Sequence, residues 1–101
     1  MLCSKGKNQS PINIVPKDLL FDPGLRPIKI TGEEINGTLI NKGTDVTFEP
    51  YKSSKVLISL GPLSYVYKLH QIKFHFGGHD SFGSEHVVDG KHFSAEMQLM
   101  F

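Results

Sequence analysis

Two stretches of the chain alternate at period two, and this constrains the backbone more than anything else in the sequence. From Leu69 to Phe76, His70, Ile72, Phe74 and Phe76 fall on one side, with Leu69, Gln71, Lys73 and His75 on the other. From Phe93 to Phe101, Phe93, Ala95, Met97, Leu99 and Phe101 make one face, and Ser94, Glu96, Gln98 and Met100 the opposite one. Successive strand residues point to opposite faces, so this period predicts β-structure. Shorter β-branched runs at Ile28–Ile30, Gly37–Asn41, Asp45–Glu49 and Lys55–Ser59 are bounded by Gly, Asn or Pro and read as further strands. Turn signals stand at Asp22-Pro23-Gly24, Asn36-Gly37, Gly61-Pro62, Gly77-Gly78 and Asp89-Gly90. No segment sustains a 3.6 period. Pro11, Pro16, Pro23 and Pro27 predict an extended N-terminal arm.

Composition excludes several functions. Among 101 residues, 11 Lys and Arg face 10 Asp and Glu, a formal net charge of +1. That balance leaves no electrostatic footprint for nucleic acid. No apolar run approaches the roughly 20 residues of a membrane helix, so membrane insertion is not expected. No basic segment followed by an apolar run opens the chain, so no signal peptide is visible. The single cysteine, Cys3, excludes an internal disulfide and a cysteine-rich zinc module. The chain stops at Phe101 inside an apolar strand with no turn or polar tail, which reads as one partial domain over residues 1–101.

Five histidines fall between His70 and His92. Scattered loop histidines are usually solvated or hydrogen-bonded, the ordinary reading for His70, His79 and His92. Lys73 and His75 lie two apart on one strand face, and Gln98 lies on the polar face of the last strand. The spacing suits a three-ligand metal site; the chemistry does not. Of the three, His75 alone is a normal zinc ligand. A lysine ammonium has no lone pair, and an amide oxygen is a poor partner for zinc beside imidazole.

Several motifs in register resemble the α-class carbonic anhydrases. They are Gln9-Ser10-Pro11-Ile12-Asn13-Ile14, Phe74-His75-Phe76-Gly77, Gly83-Ser84-Glu85-His86 and Glu96-Met97-Gln98-Leu99, with Gly61-Pro62-Leu63 and Tyr67-Lys68-Leu69 between. The resemblance covers the whole chain and about the first half of that family's domain. It implies an α+β, mostly β fold: the N-terminal fragment of a large, twisted, mostly antiparallel central sheet. It places the three zinc histidines of active members at Lys73, His75 and Gln98, so no metal cofactor is expected. By the same resemblance, Glu96 stands where a carboxylate orients the third histidine, and Gln71 keeps another position next to the metal shell. Glu85 matches the buried glutamate that orients the hydroxyl gatekeeper of the zinc-bound water. His86 matches a buried structural histidine, and Thr44 occupies the proton-shuttle position, where it cannot relay protons near neutral pH. The catalytic positions Glu85, His86 and Thr44 are therefore read as vestigial.

Leu2-Cys3-Ser4, Phe21-Asp22-Pro23, Lys73 and Glu96-Met97-Gln98 are similar to the carbonic anhydrase-related proteins X and XI. The carbonic anhydrase-like ectodomains of receptor-type tyrosine phosphatases rank second. The X and XI resemblance implies a secreted, acatalytic, protein-binding module with neuronal surface partners of the neurexin kind. The alternative is a zinc-dependent carbonic anhydrase hydrating CO2 with altered ligands. Asn36-Gly37-Thr38 is a glycosylation sequon with Asn36 as acceptor, and Asn8-Gln9-Ser10 is a second one weakened by Pro11. Cys3 matches a position that, in secreted members, bonds a cysteine in the second half of the domain; the alternative is an inert small apolar residue. Lys73 is expected to pair internally, with Glu96 or Glu85 as the candidates, or else to hold an anion. A partner surface is expected on the loops His79–Phe82 or Pro50–Ser54.

Overall fold

The computed structural model describes residues 5–101, so Cys3 lies outside the described residues. The structure is almost entirely sheet. Its strands are β1 (Asn13–Ile14), β2 (Ile28–Thr31), β3 (Gly37–Asn41), β4 (Val46–Pro50), β5 (Leu57–Leu60), β6 (Tyr67–Lys68), β7 (Gln71–Phe76), β8 (Val87–Val88) and β9 (Ala95–Met100). A 3-10 turn, Pro16–Asp18, follows β1 and leads into the extended segment before β2. The chain divides into two compact units. One comprises the segment up to Leu20 with His75–Glu96, the other Phe21–Phe74 with Met97–Phe101.

In the unit containing His75–Glu96, the N-terminal arm docks as a strand. β1 pairs in parallel with β8, Asn13 opposite Val87 and Ile14 opposite Val88. The Val87 N–H donates to the Ile12 carbonyl at 3.1 Å, and the Asp89 N–H to the Ile14 carbonyl at 2.8 Å. Asn13 Oδ1 accepts the Gly90 N–H at 3.0 Å. Asp89 (φ 49°) and Gly90 (φ 77°) take the left-handed conformations of a tight turn. Val88 and Lys91 close it with reciprocal backbone hydrogen bonds. Gly at the second position removes the steric cost that a Cβ would impose there.

The other unit holds two antiparallel ladders. β2, β5 and β6 form a three-stranded sheet in the order β2-β5-β6. β3, β4, β7 and β9 make a four-stranded sheet in that order. β4 is central to the second ladder, with Ile40 opposite Thr47 and Thr47 opposite Lys73. Directly opposed residues share a face, so one face carries Ile40, Thr47 and Lys73 and the other Leu39, Phe48 and Ile72. Val56, Leu69 and Thr47 are buried. Leu69 anchors its turn by donating its N–H to the Val56 carbonyl at 2.9 Å.

The strands differ from the sequence expectation at their ends. β4 starts at Val46 and runs to Pro50, because the Asp45 carbonyl accepts the Lys42 N–H and closes the turn from β3. β5 is Leu57–Leu60 rather than Lys55–Ser59. β9 begins at Ala95, because Phe93 is held to Ser84: its carbonyl accepts the Ser84 N–H and its own N–H donates to the Ser84 hydroxyl. The two-residue strands β1, β6 and β8 carry too little pattern to be seen in sequence. Asn36-Gly37 is no hairpin turn: Gly37 opens β3 opposite Pro50. A Cβ there would overlap the Glu49 carbonyl oxygen and lie 2.8 Å from the Phe48 ring. The burial of β9 inverts its hydrophobic pattern. Glu96 and Gln98 are half-buried, whereas Met97 is 57% and Leu99 38% exposed.

Candidate functional site

The strand period of β7 places Gln71, Lys73 and His75 on one face. Thr47, fully buried and opposite Lys73, donates its hydroxyl hydrogen to Asp45 Oδ1 at 2.6 Å. Lys73 is half-buried. Among the described residues it pairs with no carboxylate of its own unit, where Asp45 serves Thr47 and Glu49 bonds Lys42 Nζ at 2.9 Å. The hydrogen bond and charge of Glu49 raise the Lys42 pKa, against a smaller desolvation effect and with minor help from Asp45.

The carboxylates named as candidates for Lys73 are each engaged with a histidine. His75 Nδ1 lies 3.1 Å from Glu85 Oε1, and the Glu85 side chain is 42% exposed. His86 Nδ1 lies 3.0 Å from Glu96 Oε2, and the His86 backbone N–H donates to Glu96 Oε1 at 2.8 Å. Local structure explains how these pairs are held. The Ser84 hydroxyl donates to the His86 carbonyl at 2.8 Å and accepts the Phe93 N–H at 2.9 Å. The Ser84 N–H donates to the Phe93 carbonyl at 2.9 Å. Ser84 therefore ties the Glu85-His86 turn to the residues leading into β9, fixing His86 against Glu96. Sequence reasoning noted Ser84 only as a motif letter. A small hydroxyl residue before a Glu-His pair was the available signal, since such hydroxyls bond nearby backbone.

The remaining positions stand apart from these pairs. Thr44 is exposed in the turn between β3 and β4, where the Gly43 N–H donates to Asn41 Oδ1 at 2.9 Å. Gln71 and Gln98 are half-buried on β7 and β9. Asn36 is exposed immediately before β3, and its carbonyl accepts the Tyr51 N–H at 2.9 Å. His79 and Phe82 are both exposed and pack their rings at 5.4 Å.

The sequence matches the eukaryotic-type carbonic anhydrase family over residues 1–101. The chain belongs to that family. A protein named "Putative carbonic anhydrase-like protein 2" from Caenorhabditis elegans is 44% identical over 105 residues, 98% of this chain and 31% of that relative. The chain thus spans less than a third of that relative's length.

Active carbonic anhydrases use zinc held by three histidines, the arrangement the sequence resemblance implies. Lys73, His75 and Gln98 do not fit such an ion. The ammonium offers no lone pair, and removing its proton requires a large depression of the lysine pKa. The amide oxygen is a weak donor for zinc. His75, whose Nδ1 faces Glu85, keeps Nε2 as its one ligand atom, so it is a single good ligand among three. Among the described residues, no group of three His, Cys, Asp or Glu side chains could hold a metal ion.

Proposed function

We infer that this chain is a carbonic anhydrase-related domain without hydration activity, part of a secreted protein that works by binding other proteins at the cell surface. The observation that carries the reading is the occupant of β7 two residues before His75: a half-buried lysine in the place of an imidazole. Hydration in this family needs zinc to lower the pKa of bound water to about 7. One good ligand among three leaves no such nucleophile. On this reading the His86–Glu96 pair helps to hold the fold, since breaking one member of a largely buried polar pair is costly, while the more exposed His75–Glu85 contact adds little. The similarity of Phe21-Asp22-Pro23, Lys73 and Glu96-Met97-Gln98 to the X and XI branch supports this reading, with a neurexin-like surface protein as the proposed partner. The exposure of Asn36 supports use of its sequon in a secretory compartment.

Replacing Lys73→His and Gln98→His together, in the longest product that contains this chain, tests the reading. The unaltered protein is expected to retain no zinc after dialysis and the double variant to gain it. Equal zinc retention by both would refute ligand chemistry as the cause.

A further inference from the structure

We propose that a basic cleft at the end of β4 binds a sulfate or phosphate group. The cleft, about 240 Å3, is lined by Pro50, Tyr51, Lys52, Lys68, Leu69 and His70. It lies wholly within the unit built on Phe21–Phe74. The inference does not depend on the fate of the metal-ligand positions.

Charge is the first argument. Of the six lining residues, two are lysines and one is a histidine, and none is acidic. The chain as a whole carries 11 Lys and Arg against 10 Asp and Glu. A cleft with only basic ionisable side chains and a phenol hydroxyl is therefore a local concentration of positive charge. Among the described residues neither lysine forms an ion pair with a carboxylate, while Lys42 in the same unit does.

Order is the second. Lys68 Nζ donates to the Lys52 carbonyl at 2.8 Å, which fixes one ammonium at the cleft. An ammonium has three donors, so two remain for a ligand. The backbone around it is pinned. The Tyr51 N–H donates to Asn36 at 2.9 Å, Ser54 N–H to Tyr51 at 2.9 Å, Leu69 N–H to Val56 at 2.9 Å and His70 N–H to Met100 at 2.7 Å. Leu69, 4% exposed, is the buried member of the lining. An ammonium already held by a hydrogen bond, on a pinned backbone, avoids part of the ordering cost that free surface lysines carry.

Size and donor number select the ligand. Pockets for whole small molecules run from about 300 to 1,000 Å3, so this cleft takes a group. The lining residues carry two ammoniums, an imidazole and a phenol hydroxyl, donors enough for several contacts. A tetrahedral oxyanion carrying two charges uses them better than a planar carboxylate with one.

The test is an amide NMR titration of the full chain at fixed ionic strength, with sulfate, phosphate, phenyl phosphate and acetate as separate probes. Saturable shifts confined to the segments Pro50–Lys52 and Lys68–His70 are expected with sulfate and phosphate, and weaker ones with acetate. Tighter binding of phenyl phosphate than of inorganic phosphate assigns the group to a larger molecule; equal binding assigns it to the free ion. Lys52→Gln and Lys68→Gln should each weaken binding about tenfold, the loss of one charge-assisted contact. Glutamine at position 68 keeps a donor for the Lys52 carbonyl, so the fold is retained. Lys17→Gln, at an exposed lysine outside the cleft, should change nothing. Non-saturating shifts spread over all lysines, acetate binding as tightly as sulfate, or unchanged affinity in both cleft variants would each overturn the proposal.

Discussion

His86 meets Glu96 twice: its ring Nδ1 lies 3.0 Å from Oε2, and its backbone N–H donates to Oε1 at 2.8 Å. One carboxylate thus fixes both the imidazole and the peptide that carries it. The Glu96 side chain is only 15% exposed, so water cannot readily replace these bonds. Removal of the carboxylate leaves half-buried donors without an acceptor. Glu96→Ala is expected to destabilise the protein by about 1–3 kcal/mol, read from the urea midpoint. Glu96→Gln keeps an acceptor oxygen for the backbone N–H and should cost less. Equal losses in both variants would contradict this account.

The His75–Glu85 contact is a different case. It spans 3.1 Å, but Glu85 is 42% exposed. Solvent screening leaves such pairs with little coupling. A double-mutant cycle with His75→Ala and Glu85→Ala should give a coupling below about 1 kcal/mol. A coupling as large as the loss in Glu96→Ala would show that Glu85 is structurally central.

The surface pair Lys42–Glu49 gives a pH signature. Its hydrogen bond and charge raise the Lys42 pKa above the ordinary lysine value of 10.5. A group with a raised folded-state pKa stabilises the fold fully below its unfolded value. That contribution fades as pH rises through the folded one. The bridge should therefore be intact at neutral pH and lost only in strongly alkaline solution. Titration of the Lys42 side chain by NMR should move to lower pH in Glu49→Gln.

Gly37 tests the close approach of β3 to β4. Gly37→Ala puts a methyl against the Glu49 carbonyl oxygen and 2.8 Å from the Phe48 ring. Backbone cannot yield as a flexible side chain can, so a loss of about 1–3 kcal/mol in urea unfolding is expected. Gly43→Ala, where the added Cβ meets nothing within 4 Å, reports the conformational cost alone at a φ of 85°.

The period-two pattern revealed β7 because one of its faces carries Ile72, Phe74 and Phe76 against a polar row. β3 was legible to the residue because β-branched residues follow a glycine and end at Asn41. The shortest strands were not legible: the pairing of Asn13–Ile14 with Val87–Val88 depends on a partner more than 70 residues away, which local pattern does not encode. Asn36-Gly37 was misread because glycine marks both tight turns and close backbone approaches, and here it marks the second. At the site, the type of each side chain was readable, but its partner was not. Charge makes Glu85 and Glu96 candidates for Lys73, with an anion as the alternative; the Ser84 hydroxyl and the turn it closes, which bring histidines to both carboxylates, carry no such signal in the sequence.

The most direct test of the central claim is zinc content. Elemental analysis after equilibrium dialysis against zinc, with CO2 hydration assayed on the same sample, should give far less than one metal per chain and no rate above background. About one zinc per chain with measurable hydration would contradict the account.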